Sequence, residues 1–161
     1  MERVVITGMG TINSIGSNVL ETWANVIAGV SGVGPISVFD PSNLQVRIAC
    51  EVKDFDPARY MDAKEARRRD RYEQLATVAA NEALADSGLQ ITEANAQRVG
   101  IIVSSAIGGL HSIQEAVETA ATEGPRRVKR AHRWVRNPYF YWSGDLYRRS
   151  FGGADGKTIL E

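Results

Sequence analysis

The chain has 161 residues, 43% of them hydrophobic and 24% charged, with 19 basic against 19 acidic side chains, the balance of one compact soluble domain with a sizeable core. No apolar run approaches the roughly 18 residues that span a bilayer, and Met1-Glu2-Arg3 opens onto an apolar triplet too short for a signal-peptide core, so the expected location is cytoplasmic with no membrane partner. The single Cys50 rules out an internal disulfide, and His111 and His132 add too few soft ligands for a zinc site, so no metal and no cofactor is expected.

The zero net charge hides an asymmetry. Up to Pro125 there are ten basic residues against sixteen acids, a balance of −6; from Arg126 onward there are nine basic residues against three acids, a balance of +6. Two differently composed segments are joined.

In chain order, Arg3-Val4-Val5-Ile6-Thr7-Gly8-Met9-Gly10 reads as a first strand running into a glycine turn. Asn18 and Glu21 then stand as N-cap and third helical position of a helix expected to bury Leu20, Trp23 and Ile27 and to stop at Gly29. Val46, Ile48, Cys50 and Val52 alternate with Arg47, Ala49, Glu51 and Lys53, the pattern of a half-exposed strand with Cys50 as a buried structural thiol. Asp62 with Glu65 forms a capping pair for one long helix whose apolar face runs through Tyr72, Leu75, Ala76, Ala79 and Ala83 and which closes at Ser87-Gly88. Its small alanines imply close packing against a sheet.

A connection with one helical turn from Thr92 leads to Arg98-Val99-Gly100-Ile101-Ile102-Val103, a short apolar run that reads as a central parallel strand buried on both faces. Ser104 to Gly109 then keeps bulk off the backbone except at Ile107, which suits either a tight strand-to-helix turn or a place where a ligand or another subunit approaches closely. Ile107 and Gly108 are the candidates for such a contact loop. A last helix carries Leu110, Ile113 and Val117 and stops near Gly124-Pro125. The alternation of strands and helices is that of an α/β domain with a largely parallel sheet. Beyond Arg127 the texture changes: seven of the twelve aromatics fall there with no period of two or 3.6, so residues 129–161 are expected to form an irregular, poorly ordered basic tail.

Three motifs invite other readings. Gly8-Met9-Gly10 after a strand suggests a dinucleotide site and hence an oxidoreductase, but the third glycine of that fingerprint is replaced by Asn13. Gly156-Lys157-Thr158 resembles the end of a phosphate loop, yet its first glycine would fall on Phe151. The basic, aromatic tail has the chemistry of a nucleic-acid surface without any recognisable module, so nucleic acid is not the expected partner. Arg67-Arg68-Arg69-Asp70-Arg71 is the more informative cluster, because cations at a helix N-terminus oppose the macrodipole. A binding role and a solvated face with Glu65 and Glu73 beside Arg69 explain it equally well.

Five stretches together carry a resemblance: Arg3 to Gly10, Trp23 with Ala28-Gly29-Val30-Ser31-Gly32, Val52-Lys53-Asp54-Phe55-Asp56, Asp86-Ser87-Gly88-Leu89, and Ser105-Ala106-Ile107-Gly108-Gly109-Leu110. In order and spacing they resemble the N-terminal part of the β-ketoacyl-acyl-carrier-protein synthases, the elongating condensing enzymes of type II fatty acid synthesis, over residues 1–128; polyketide ketosynthases share much of the pattern. The resemblance implies the N-terminal half of a thiolase-like fold, a mixed and largely parallel sheet between helices, within an enzyme that forms homodimers. It implies an acyltransferase that loads an acyl group onto a cysteine and joins it to decarboxylated malonyl-carrier protein by Claisen condensation, with a helix-activated thiolate, an oxyanion hole and two histidines.

None of those three catalytic residues is matched here, since Cys50 lies far upstream of the family's cysteine motif and neither His111 nor His132 sits in a histidine motif. Lys64, Arg67 and Arg68 match the family's basic residues ahead of an aspartate and become the candidates for docking an acidic acyl-carrier protein. After Val128 the chain leaves the family pattern, which a frameshift or gene truncation would produce. The expectation is an incomplete, inactive condensing enzyme; the alternatives are a non-catalytic carrier-protein-binding or nucleic-acid-binding fragment, or a polyketide ketosynthase fragment.

Overall fold

The computed structural model describes residues 3–103, 105 and 108–128. The expected tail over residues 129–161, and Ser104, Ala106 and Ile107 of the glycine-rich turn, lie outside the described residues. In order, the elements are α1 (Val19–Ile27), β1 (Val33–Pro35), β2 (Ile48–Cys50), α2 (Ala63–Ala66), α3 (Arg71–Ser87) and α4 (Leu110–Thr122), with single 3₁₀ turns at Pro57–Arg59 and Ala96–Arg98. Residues Met1–Tyr60 with Val78–Leu89 form one unit, and Met61–Thr77 with the chain from Gln90 onward form a second; α3 contributes to both.

In the first unit, α1 is set by its caps. Asn18 accepts the Glu21 amide at 2.9 Å, and the Glu21 carboxylate reaches back to the Ser17 amide and hydroxyl at 2.8 and 2.6 Å. Those Ser17 bonds hold the Glu21 carboxyl below the usual glutamate range. At the other end Gly29 takes φ +67°, and Gly29 and Val30 return their amides to Val26 and Asn25, closing a Schellman motif.

The expected burial of Leu20, Trp23 and Ile27 is corrected: they are 82, 63 and 71% exposed. The inward face is the polar one, because Thr22 and Asn25 bond the loop over residues 13–15.

The first predicted strand is also corrected. Residues 3–10 belong to no ladder among the described residues, and the amides at the end of the segment are taken by a helix: Met9 donates to Asp86 at 2.9 Å and Thr11 to Glu82 at 2.9 Å. Glu82 holds the first α1 amide, Val19, as well, at 2.8 Å. One turn apart on α3, these two carboxylates thus fix both the glycine turn and the start of α1. The approach is close enough to require glycine, because a Cβ at Gly10 would lie 2.7 Å from the Ala83 amide nitrogen and one at Gly8 2.6 Å from that of Ser87. Ala79, Ala83 and Ser87, at successive i+4 positions, are the small stripe that accepts this segment.

The ladder among the described residues is β1–β2, antiparallel, with Val33 opposite Cys50, Gly34 opposite Ala49 and Pro35 opposite Ile48. The alternation read from the sequence is present with its faces reversed: Ile48 and Cys50 are exposed and Ala49 is half-buried. Cys50 is therefore not a buried thiol, because nothing described packs on that side of a two-stranded ribbon. Glu51 turns inward along the chain and accepts the Ser37 amide at 3.1 Å and hydroxyl at 2.6 Å, closing the loop after β1.

In the second unit the single long helix is replaced by two. Asp62 caps as expected, accepting the Lys64 amide at 2.8 Å, but the helix it starts is the four-residue α2. A new start follows at Asp70, whose backbone amide is taken by Glu73 at 3.1 Å, and the Gln74 side-chain amide donates to the Ala66 and Arg69 carbonyls at 2.8 and 3.0 Å, tying the turn onto α3. Residues 99–103 form no ladder among the described residues, so the predicted central strand is absent there. The C-terminal stops at Ser87-Gly88 and before Gly124 lie where the sequence places them.

Replacing Gly10 with Ala should lower stability by about 1–3 kcal/mol, since the new methyl meets backbone that cannot swing aside. Gly100→Ala, which meets open space, should move it by less than about 0.5 kcal/mol. Urea unfolding of the two variants checks the contrast.

Candidate functional site

The second unit holds the residues singled out for binding. Arg67 keeps helical dihedrals as the C-cap of α2, so Lys64, Arg67 and Arg68 stand at i, i+3 and i+4 of one helical register and share a face. All three are exposed. The Arg67 Nε donates to the Ala63 carbonyl at 3.1 Å, and the Arg68 guanidinium stands 4.0 Å from Glu65 with half its side chain in water. Such an exposed pair contributes little, and both cations keep their charge directed outward.

Arg69 does the opposite. Its side chain is 10% exposed and donates to the Thr77 hydroxyl at 2.7 Å and to Glu65 at 3.4 Å. Thr77, itself buried, donates its hydroxyl hydrogen bond to the Glu73 carbonyl at 2.8 Å, so the inward guanidinium ends in a satisfied network. The run of arginines is thus divided between one structural member and an outward pair, with Arg71 exposed at the first position of α3. Arg67 and Arg68 lie between the four-residue α2 and the 17-residue α3 that begins at Arg71, so the cations stand just ahead of a helix N-terminus, as the sequence implied, and their exposure is a second observation in favour of a binding role.

Gly108 and Gly109 take φ +41° and +70°, the left-handed region that favours glycine. A Cβ at Gly108 would lie 2.9 Å from the Tyr72 ring, and one at Gly109 would lie 2.6 Å from Asp70 Oδ2. Ser112, in the first turn of α4, donates its hydroxyl to Asp70 Oδ1. One carboxylate thereby ties the start of α3 to the start of α4, and the left-handed backbone at Gly108 and Gly109 favours glycine between them. Tyr72 is half-buried there, and burial first, then Glu73 and Asp70, push its hydroxyl well above the ordinary tyrosine value. It stays a neutral donor, bonding Glu73 at 3.3 Å. Ile107, the other half of the candidate loop, lies outside the described residues.

Sequence reasoning passed over Asp70 and Ser112. Asp70-Arg71-Tyr72-Glu73 carries the acidic N-cap and Glu of a capping box, the signal that would have placed the start of α3. Among the described residues, no group of three His, Cys, Asp or Glu side chains is placed to hold a metal, and no helix is long and apolar enough to cross a membrane. His111 meets Glu115 at 3.6 Å on the open face of α4. The second unit thus carries an outward cationic face and a left-handed glycine turn.

Residues 1–144 match the family model described as "Beta-ketoacyl synthase, N-terminal domain". A 3-oxoacyl-[acyl-carrier-protein] synthase 2 of Coxiella burnetii is 45% identical over 126 residues, which cover 78% of this chain and 30% of that protein. Among solved structures, the ishigamide ketosynthase/chain length factor is 34% identical with a TM-score of 0.64, covering 80% of this chain and 32% of its own. A type II polyketide ketosynthase in complex with its acyl-carrier protein is 27% identical with a TM-score of 0.71, covering 99% of this chain and 42% of that one. These neighbours bear out the thiolase-like fold. The chain spans about 30% of the length of the curated relative.

A double-mutant cycle on Asp70→Asn and Ser112→Ala should return a coupling of about 1.5–3 kcal/mol, the range for a hydrogen bond to a charged group. Chemical denaturation of the four proteins measures it, and a coupling near zero would mean that the two helix starts are held by other contacts.

Proposed function

The chain belongs to the β-ketoacyl synthases, and on that premise we propose that it is the N-terminal part of a 3-oxoacyl-[acyl-carrier-protein] synthase of fatty acid biosynthesis. The whole enzyme would transfer an acyl group from carrier protein to a cysteine thiolate, release carbon dioxide from malonyl-carrier protein, and attack the acyl thioester with the carbanion so formed. The observation that carries this reading is the 45% identity to a 3-oxoacyl-[acyl-carrier-protein] synthase 2 over 126 residues. Residues 1–128 are read as carrying the family's sequence pattern, with the family model's match running on to residue 144, and residues 129–161 as a segment of different composition.

Within that enzyme the role of this region is docking and scaffolding. Lys64, Arg67 and Arg68 would receive the acidic carrier protein, a reading supported by their shared exposed face and by the separate use of Arg69 inside the unit. Charge complementarity of this kind acts mainly on the association rate and fades as salt screens it, with a Debye length of about 10 Å at 0.1 M. Ile107 and Gly108 would form the loop that faces the acyl chain or the second subunit of a homodimer. The cationic face and the Gly108 turn belong to the same unit, so carrier recognition and acyl contact would draw on one scaffold.

None of the 161 residues matches the family's nucleophile or its histidines, and the one cysteine sits on an exposed ribbon. Incubated with acyl- and malonyl-carrier protein, the chain should give no β-ketoacyl product above a blank and no acyl label on Cys50. It should nonetheless bind carrier protein, and Arg67→Glu with Arg68→Glu should slow association by about tenfold or more at low salt. Stopped-flow fluorescence with a dye-labelled carrier protein measures this; an unchanged rate would leave the cluster as a solvated face with no partner.

A further inference from the structure

Glu65 stands between two arginines that point opposite ways. The turn after α2 tightens to i→i+3 bonds, the Arg68 amide donating to the Glu65 carbonyl at 3.0 Å and the Arg69 amide to that of Ala66 at 3.3 Å, so both guanidinium groups come within reach of one carboxylate. Arg69 Nη2 meets Oε2 at 3.4 Å, whereas Arg68 Nη1 stands 4.0 Å from Oε1. The inner arginine is 10% exposed and the outer one 52%. A carboxylate shared in this way goes to the less hydrated cation, because opposite charges attract more strongly where water is excluded and because a guanidinium stranded inside is costly.

Arg69 is itself anchored. Its Nη1 donates at 2.7 Å to the hydroxyl of Thr77, which is 3% exposed and in turn donates to the Glu73 carbonyl at 2.8 Å. These residues all lie in the second unit. We propose that Arg69 is a positioning residue for the cationic face: by drawing Glu65 inward, it keeps that carboxylate from closing on Arg68 and so leaves Lys64, Arg67 and Arg68 as three outward charges for an acidic partner. The proposal rests on the carrier-docking reading and adds to it that an inward arginine, out of the partner's reach, sets the charge that the partner meets.

The test reads the carboxylate and the partner separately. The full chain is treated with phenylglyoxal, and modification of Arg68 is compared by peptide mass spectrometry with that of Arg67, whose bond to the Ala63 carbonyl makes it the internal reference. In Arg69→Met the Arg68 to Arg67 ratio should fall about threefold as Glu65 closes on Arg68, the scale of an exposed ion pair. In Glu65→Gln the ratio should stay within about 1.5-fold of the unmodified chain, because the carboxylate removed was engaged elsewhere. That variant keeps both Arg69 and Thr77, so its result decides the matter without requiring Arg69→Met to fold. Stopped-flow association with dye-labelled acyl-carrier protein at low salt gives the second reading. Arg69→Met should slow it about threefold in the unmodified chain but by less than about 1.5-fold in the Glu65→Gln background, whereas a plain loss of one charge slows both alike. An unchanged ratio in folded Arg69→Met, a ratio raised severalfold by Glu65→Gln, or equal slowing in both backgrounds would overturn the proposal. An association rate that Arg67→Glu with Arg68→Glu leaves unchanged would overturn the docking reading and with it the role of Arg69, while the phenylglyoxal ratios still show where Glu65 is held.

Discussion

The first unit depends on backbone meeting backbone. Gly8 and Gly10 let the N-terminal segment lie against Ala79, Ala83 and Ser87 of α3 at a distance that no Cβ tolerates. At that range the amides of the segment need acceptors that a helix backbone, with its carbonyls already used, does not supply. Glu82 and Asp86 supply them from side chains, three amides to two carboxylates. The glycines and the acids are therefore a single device: without the glycines the carboxylates do not reach, and without the carboxylates the close contact strands unpaired donors. The position of α1 follows, because its first amide is one of the three.

A related economy governs the second unit. Asp70 ends one turn, starts α3 and receives Ser112 from α4, so the left-handed glycines before α4 lie against a fixed wall formed by Asp70 and Tyr72. The short α2 is held by Gln74 from the next helix rather than by its own length, which at four residues is too little for a stable helix. Because the turn is tied from inside by Arg69 and Gln74, the outward cations Lys64, Arg67 and Arg68 are carried on a defined scaffold. A partner meeting that face would order few side chains beyond the cations themselves.

Local chemistry was legible in the sequence and non-local chemistry was not. Asn18 and Gly29 bound α1 where they stand in the sequence, and Ser87-Gly88 ends α3, because a cap involves residues within one turn. The same logic places the restart at Asp70, where the acidic N-cap and Glu73 were outweighed by the apparent continuity of the apolar face from Asp62 onward. The segments 3–10 and 99–103 have strand composition without a ladder among the described residues, because a ladder belongs to two segments and periodicity reports only one. For α1 and β2 the period was right and the side was wrong: Leu20, Trp23, Ile27 and Cys50 mark an apolar face, but whether water or protein lies against it is decided by neighbours that no pattern in nine residues encodes. The carrier-docking candidates were legible through the family resemblance, whereas the inward turn of Arg69 among identical neighbours follows only from Thr77 and Glu65 being within its reach.

The exposed Cys50 has a practical consequence. The chain contains no other cysteine, and this one lies at the end of β2, opposite Val33 on the open side of the ribbon. A maleimide dye or spin label attached there marks a single known site without any engineering of the sequence. The same accessibility means that, in air-oxidised preparations, two chains joined through their Cys50 sulfurs would mimic a native dimer on a sizing column. Handling the chain under reducing conditions separates that covalent artefact from association of biological origin.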